Sequence, residues 1–190
     1  MLLKESRPFI TSLPMVDTLV TGKHVIIDYM TERQFSETYL MIQEAAERGD
    51  GFGVDEFLNE NLFREELIGS DCFVITCKET GELLASFMLA VSKFYRGASS
   101  VVDPFIIVKS TARGQGLGLF AMLKAIDFSK RLGYEAMYVD TFTNNVALLH
   151  ILKKIGGFQQ VGLLPVGGKM KNGEIVGSVI FYMELSNDCT

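Results

Sequence analysis

The chain is 190 residues long, enough for one domain with a full hydrophobic core. Its 48% apolar and 22% charged content is that of a soluble globular protein, and no low-complexity tail, linker or repeat divides it. The formal net charge of -5 excludes a dominant nucleic-acid role, since phosphate backbones are bound mostly through Lys and Arg; it leaves room for a local basic site and for a cationic substrate such as an amine.

Residues 1–23 read as an irregular N-terminal arm, without the long apolar core and small-residue cleavage site of a signal peptide. The β-branched run HVIID from His24 predicts the first strand. Thr31 then caps a helix whose Phe35, Tyr39, Ile42 and Ala46 recur on one face, until Gly49-Asp50-Gly51-Phe52-Gly53 stops it. A second helix is expected from about Asp55, carrying Phe57, Leu58, Leu62 and Leu67 and ending at Gly69. The runs CFVITC (72–77) and LLASFMLAV (83–91) form an antiparallel pair about a turn at 79–82. The next strand, VVDPFIIV (101–108), contains Pro104, which cannot donate to a ladder, so the strand should be bulged or at an edge there.

A helix follows from about Gly116 to Arg131, polar only along Lys124, Asp127 and Arg131 and therefore packed deeply on a sheet. Gly133 ends it, and EAMYVD (135–140) is a strand. Asn145 caps a short helix with Leu148, Ile151, Leu152 and Ile155 on one face, closed by Gly156-Gly157. Two last strands, 158–164 and 174–185, enclose the turn-rich PVGGKMKNG. The order β-α-α-β-β-β-α-β-α-β-β predicts a single α/β (α+β) domain over 1–190. Its central sheet is mixed but mostly antiparallel, with helices on both faces and a right-handed β-α-β crossover in the middle.

Cys72, Cys77 and Cys189 cannot all pair within one chain, and no Cys/His spacing fits a metal site. Cys72 and Cys77 should point to opposite faces of their strand. Reduced thiols of a cytoplasmic protein are the simplest reading. The most apolar stretch, 117–128, is interrupted by Lys124 and Asp127 and is too short to span a bilayer.

The segment Arg113-Gly114-Gln115-Gly116-Leu117-Gly118, between an apolar strand and an apolar helix, carries the strongest chemical signal. Cradling a pyrophosphate requires several backbone N–H groups converging on one point, with no Cβ in the ligand's way. The helix start adds unpaired N–H groups and the positive end of its dipole, and Arg113 adds a fixed charge, with Gln115 as a further donor. Lys109 is within reach of a peripheral phosphate. The P-loop pattern fails because no Gly-Lys-Ser/Thr opens the helix, and the dinucleotide fingerprint fails at Leu119.

With strand, loop and helix in place, the chain resembles the general-control-type N-acetyltransferase (GNAT) superfamily. The family's cofactor motif, Arg/Gln-x-x-Gly-x-Gly/Ala, is met by Arg113, Gly116 and Gly118, after FIIV in the preceding strand. A second signature, Asn followed by a short apolar helix and Gly-Phe, is met by Asn145, Ala147, Leu148 and residues 151–158, with one extra glycine at Gly156-Gly157. The similarity covers about residues 24–185. It implies acetyl transfer from acetyl-CoA to an amine, with residues 113–118 on the pyrophosphate. Ile106, Ile107 and Val108 would pair with the pantetheine arm, and Asn145 would contact its other side. The backbone N–H at Val108 would stabilise the thioester oxyanion. Leu152 stands where many members place a proton-donating Tyr. Asp103 is the candidate base, with Asp140 as another; Phe52, Asp55 and Glu56 are candidates for holding the amine. A small-molecule acceptor handled by a monomer or homodimer is expected, without metal, nucleic acid or membrane. A peptide acceptor and a non-catalytic acyl-CoA-binding module are the alternatives.

Overall fold

The structure, a computed structural model, describes residues 9–53, 57–92 and 100–185. Part of the segment expected to be an irregular arm is a strand, β1 (Met15–Thr18), paired antiparallel with β2 (His24–Tyr29). Four residues alternating half-buried and exposed carry little signal on their own; the register with β2 is what makes them a strand. α1 (Glu32–Arg48) opens with a reciprocal capping box: the Thr31 hydroxyl accepts from the Gln34 N–H, and the Gln34 side chain accepts from the Thr31 N–H. It closes at Gly49 in the left-handed conformation. α2 (Glu60–Glu66) begins later than the Asp55 expected from sequence, because the cap is Asn59, whose side chain accepts from the Leu62 N–H.

β3 (Asp71–Cys77), β4 (Leu83–Val91) and β5 (Val101–Val108) continue the antiparallel meander. α3 (Leu117–Arg131) then crosses to β6 (Ala136–Phe142), which lies parallel to β5. α4 (Val146–Ile155) leads to β7 (Gln159–Lys169) and β8 (Ile175–Glu184). β7 runs on through much of the segment expected to be a turn. Pro165 is tolerated there because β7 is the sheet's edge and its register with β8 shifts between Leu164 and Gly168. The sheet order is β1-β2-β3-β4-β5-β6-β8-β7, antiparallel throughout except for β5 and β6.

Alternation divides the core between the two faces. Phe73, Phe87 and Val102 pack with Phe128 and Ala121 of α3, while Val74, Met88 and Ile107 pack with Ile42 of α1 and Phe63 of α2. Cys77 belongs to the first cluster and Cys72 lies against the second, on opposite faces as expected. Burial pushes the Cys72 thiol up to about 12, so it is an inert packing group. Thr38 of α1 and Ser86 of β4 share a buried hydrogen bond of 2.7 Å that fixes α1 over the sheet.

The feature that creates a site is a fork. β5 and β6 pair only at Val101 with Ala136 and Val102 with Met137. Beyond that, β5 stays with β4 as far as Val108, and β6 stays with β8 as far as Phe142, so the two strands part. Pro104 sits just past the parting. The β4–β5 register passes it without a shift, so there is no bulge; β5 is central in the sheet order, but at Pro104 it has the local edge that was the other expectation. The physical rule operates: among the described residues no strand pairs with the β6 side of β5 there, so a residue without an N–H breaks no ladder.

Candidate active site

The chain leaves β5 through a 3-10 turn at Ser110–Ala112, then places Arg113 in extended backbone and both Gly114 and Gly116 at positive φ (+76 and +82). Only glycine adopts these angles without strain. α1, α2 and α4 are each capped by a side-chain oxygen, from Thr31, Asn59 and Asn145. Among the described residues α3 is the α-helix without one: its cap is Gly116, which has no side chain to offer. The first-turn N–H groups and the positive end of the α3 dipole therefore remain available to an anion. A Cβ at Gly114 would meet nothing within 4 Å, so the approach is open. Gly118 has a different task, since a Cβ there would lie 3.0 Å from Ile151 of α4. The Leu117 side chain is in the core, leaving only its backbone to the loop.

Arg113 stands at the rim of this loop. Its Nη1 donates to Asp50 at 2.7 Å, and the same carboxylate oxygen accepts from Arg48 at 2.9 Å. Burial alone would raise the Asp50 carboxyl, but the hydrogen bonds from Arg48 and Arg113 outweigh it and hold it below the usual carboxylate range. Lys109 donates to Glu82 at 2.7 Å. Asn145 serves α4: its oxygen accepts from the Leu148 N–H and its amide donates to Thr141 at 3.0 Å. Gly51 presses on that side chain, an added Cβ falling 2.6 Å from its amide nitrogen. The loop after α1 thus spans from Arg113 on one side of the fork to Asn145 on the other.

Within the fork, Ile106 and Val108 lean on the α3-side core, while Phe105 and Ile107 face α1 and α2. The same alternation puts Asp103 on the α1/α2 face. The ring of Phe52 lies 5.3 Å from that of Phe105, and Phe57 lies 5.7 Å from it, so the candidate acceptor residue Phe52 and the candidate base share one face. Asp55 and Glu56 lie outside the described residues. Leu152 is 1% exposed, a core side chain with no access to the cleft. The tip of the β7–β8 hairpin reaches α1: Lys171 pairs with Glu47, and a cavity of about 270 Å³ lies there among Arg48, Asn144 and Met170.

Tyr138 and Ser178 were not evident from sequence. Tyr138 and Asp140 stand two apart on β6, opposite in facing to the core residues Met137 and Val139, and so lie on the α1/α2 face of the strand that forms the fork's other wall. Burial first, then the carboxylates of Asp140 and Asp103, holds the Tyr138 phenol well above its ordinary range. The Asp140 residue as a whole is exposed but its carboxyl is partly shielded, and that partial burial raises its pKa against hydrogen bonds from Ser178 at 3.3 Å and from the backbone. Alternation along YVD could have paired Tyr138 with Asp140; Ser178 needed the β6–β8 register. The Ser178 hydroxyl also lies 3.4 Å from the Thr141 carbonyl.

An anion cradle at an uncapped helix, beside a strand edge with no partner strand, suits a long phosphorylated thioester. Residues 32–158 match the model of the acetyltransferase (GNAT) family. The chain belongs to this family. As a GNAT member it is an N-acetyltransferase, and its cofactor is acetyl-CoA. No curated protein matches the chain. Solved structures match it at low identity and show the fold. A GNAT superfamily phosphinothricin acetyltransferase from Sinorhizobium meliloti in complex with acetyl-CoA is 15% identical with a TM-score of 0.74, covering 87% of this chain and 90% of its own. The yncA protein of Salmonella typhimurium, with its cofactor acetyl-CoA, is 17% identical with a TM-score of 0.73, covering 87% and 96%. The ribosomal-protein-alanine N-acetyltransferase of Brucella melitensis is 16% identical with a TM-score of 0.72, covering 83% and 98%. Among the described residues no helix is long and apolar enough to cross a membrane, and no group of His, Cys, Asp and Glu could hold a metal ion.

Proposed function

We propose that this GNAT protein acetylates the primary amine of a small molecule in the cytoplasm. The observation that carries the reading is the fork: β5 parts from β6 after Val102, and its edge leads directly to the anion cradle at 113–118 and is flanked by aromatic rings and carboxylates on the α1/α2 face. Arg113 and the backbone of 114–118 hold the pyrophosphate. The backbone of Ile106, Ile107 and Val108 takes the place of a strand partner for the pantetheine arm, and the Val108 N–H faces the thioester oxygen. Asn145 lines the opposite wall. The bound cofactor supplies an activated acetyl thioester; the chain's own work is to hold it and the amine in attack geometry and to exclude competing water.

A small acceptor is favoured by the contacts over the cleft. Gly51 lies against Asn145 and Lys171 pairs with Glu47, contacts that would narrow the room for an extended polypeptide. Phe52 over Phe105 offers a flat apolar wall for the amine's body, with Asp103 near its charge.

The test is thiol release from acetyl-CoA over a panel of alkylamines, amino acids and short peptides. Turnover is expected with small amines and not with peptides. Turnover confined to peptides gives the cleft to a polypeptide N-terminus. Tight acetyl-CoA binding with no turnover on any amine makes the protein a binding module, a reading favoured by the buried Leu152.

A further inference from the structure

The register of the fork ranks its carboxylates by their distance from the reacting centre. β5 and β6 are parallel and in step at their two paired positions. Continuing that step past the parting places Tyr138 level with Asp103, and Asp140 level with Phe105. The pantetheine arm proposed along Ile106–Val108 begins at the very next residue, with its thioester at Val108, three residues beyond Phe105 and five beyond Asp103. Asp103 is therefore at the closed apex of the fork, and Asp140 is on the open wall facing the pantetheine strand. Asp140 and Phe105 share the α1/α2 face, where Phe52 covers Phe105.

We propose that Asp140 is the catalytic base that takes the proton from the attacking amine, with Ser178 as the residue that positions its carboxylate; this rests on the acetyl-transfer reading above. The amine lone pair forms the C–N bond at the thioester carbonyl carbon, and the surplus proton on nitrogen moves to Asp140. The C–S bond breaks, the sulfur leaves with the electron pair, and the proton passes from Asp140 to that sulfur. The products are the acetamide and free CoA thiol, with Asp140 ionised again. No acid on α4 is needed, which fits a core Leu152.

The surroundings suit a base. On the same face as Asp140 are Tyr138 on its own strand and Ser178, Ile180 and Tyr182 on β8, with Asp103 and Phe105 on that face of β5 on the other side of the fork. Among these described residues there is no cation; a hydrogen bond from Ser178 and one from the backbone pull its affinity for protons down. Burial raises it instead, toward the pH at which a base both stays ionised and accepts a proton readily.

A carboxyl whose folded pKa lies above its unfolded value binds more protons when folded, so it lowers stability as pH rises through that range and leaves the cost in place at neutral pH. Asp140→Asn should therefore raise Tm at pH 7–8 while lowering kcat about a hundredfold or more, with acetyl-CoA affinity within twofold of wild type by calorimetry. The acid limb of the kcat–pH profile should vanish in Asp140→Asn and move upward in Ser178→Ala, since the hydroxyl favours the carboxylate form. Asp140→Glu should recover part of kcat. The inference is overturned if Asp140→Asn keeps kcat within twofold, if kcat, Tm and acetyl-CoA affinity fall together, or if the limb vanishes in Asp103→Asn but persists in Asp140→Asn. A wild type that turns over no amine overturns the acetyl-transfer reading itself, and this assignment with it.

Discussion

Arg113 and Gly116 hold different parts of one anchor, and their variants should separate. Arg113→Ala removes a charge-assisted donor and should weaken acetyl-CoA binding about 10- to 100-fold by calorimetry, with Tm nearly unchanged because the Asp50 pair it breaks is at the surface. Gly116→Val asks a β-branched residue to sit at φ +82 with its Cβ 3.0 Å from Val20. That strain costs roughly 1–2 kcal/mol, or a Tm fall of roughly 2–8 °C in a chain of this size, and binding should be lost. Unchanged affinity in both variants would remove the pyrophosphate from this loop. At this scale the sequence was readable because the loop's chemistry is local. Gly114 and Gly116 had to be glycines for their angles, and Arg113 had to be charged, whatever the rest of the chain did. Gly118 could not be told apart from them, because its reason is Ile151 on another helix.

Elements announce themselves through their ends. Thr31, Gly49 and Asn145 mark α1 and α4 within a few residues, and the structure keeps all of them, adding Gln34 as the second half of the α1 capping box. α2 was displaced because Asp55 and Asn59 are both competent caps and only packing chooses between them. β1 was missed because its partner, rather than its pattern, makes it a strand. Asn145→Ala should cost about 1 kcal/mol by opening the α4 cap, a Tm fall of roughly 2–4 °C, whereas Asn145→Asp should keep the cap. If acetyl-CoA affinity falls in both variants, Asn145 contacts the cofactor as well as its helix; a fall in Ala alone assigns it to the cap. Thr38→Val should cost about 1–3 kcal/mol in urea unfolding, because the Ser86 hydroxyl would be buried without its partner.

At the scale of the molecule, the order of elements and the mixed sheet were legible, and the fork was not. Parting is a property of two strands, and neither β5 nor β6 shows it alone; Pro104 was its one trace in the sequence. For the same reason Asp103, next to that proline, drew attention ahead of Asp140, whose position depends on a register between distant segments. The fork also makes the sheet an unfinished one. β1–β5 and β6–β8 are two blocks joined edge to edge by two residue pairs, with α3 as the connecting strut. A pantetheine arm laid along 106–108 is then a removable rung that bridges blocks the polypeptide leaves apart. Acetyl-CoA at a hundred times its Kd should add about 2.7 kcal/mol to unfolding, raising Tm by roughly 5–10 °C. Hydrogen exchange should slow on both banks of the fork, at 103–108 and at 138–142, although the ligand's own length touches few of those amides. Protection confined to 113–118 would show the blocks already locked without it.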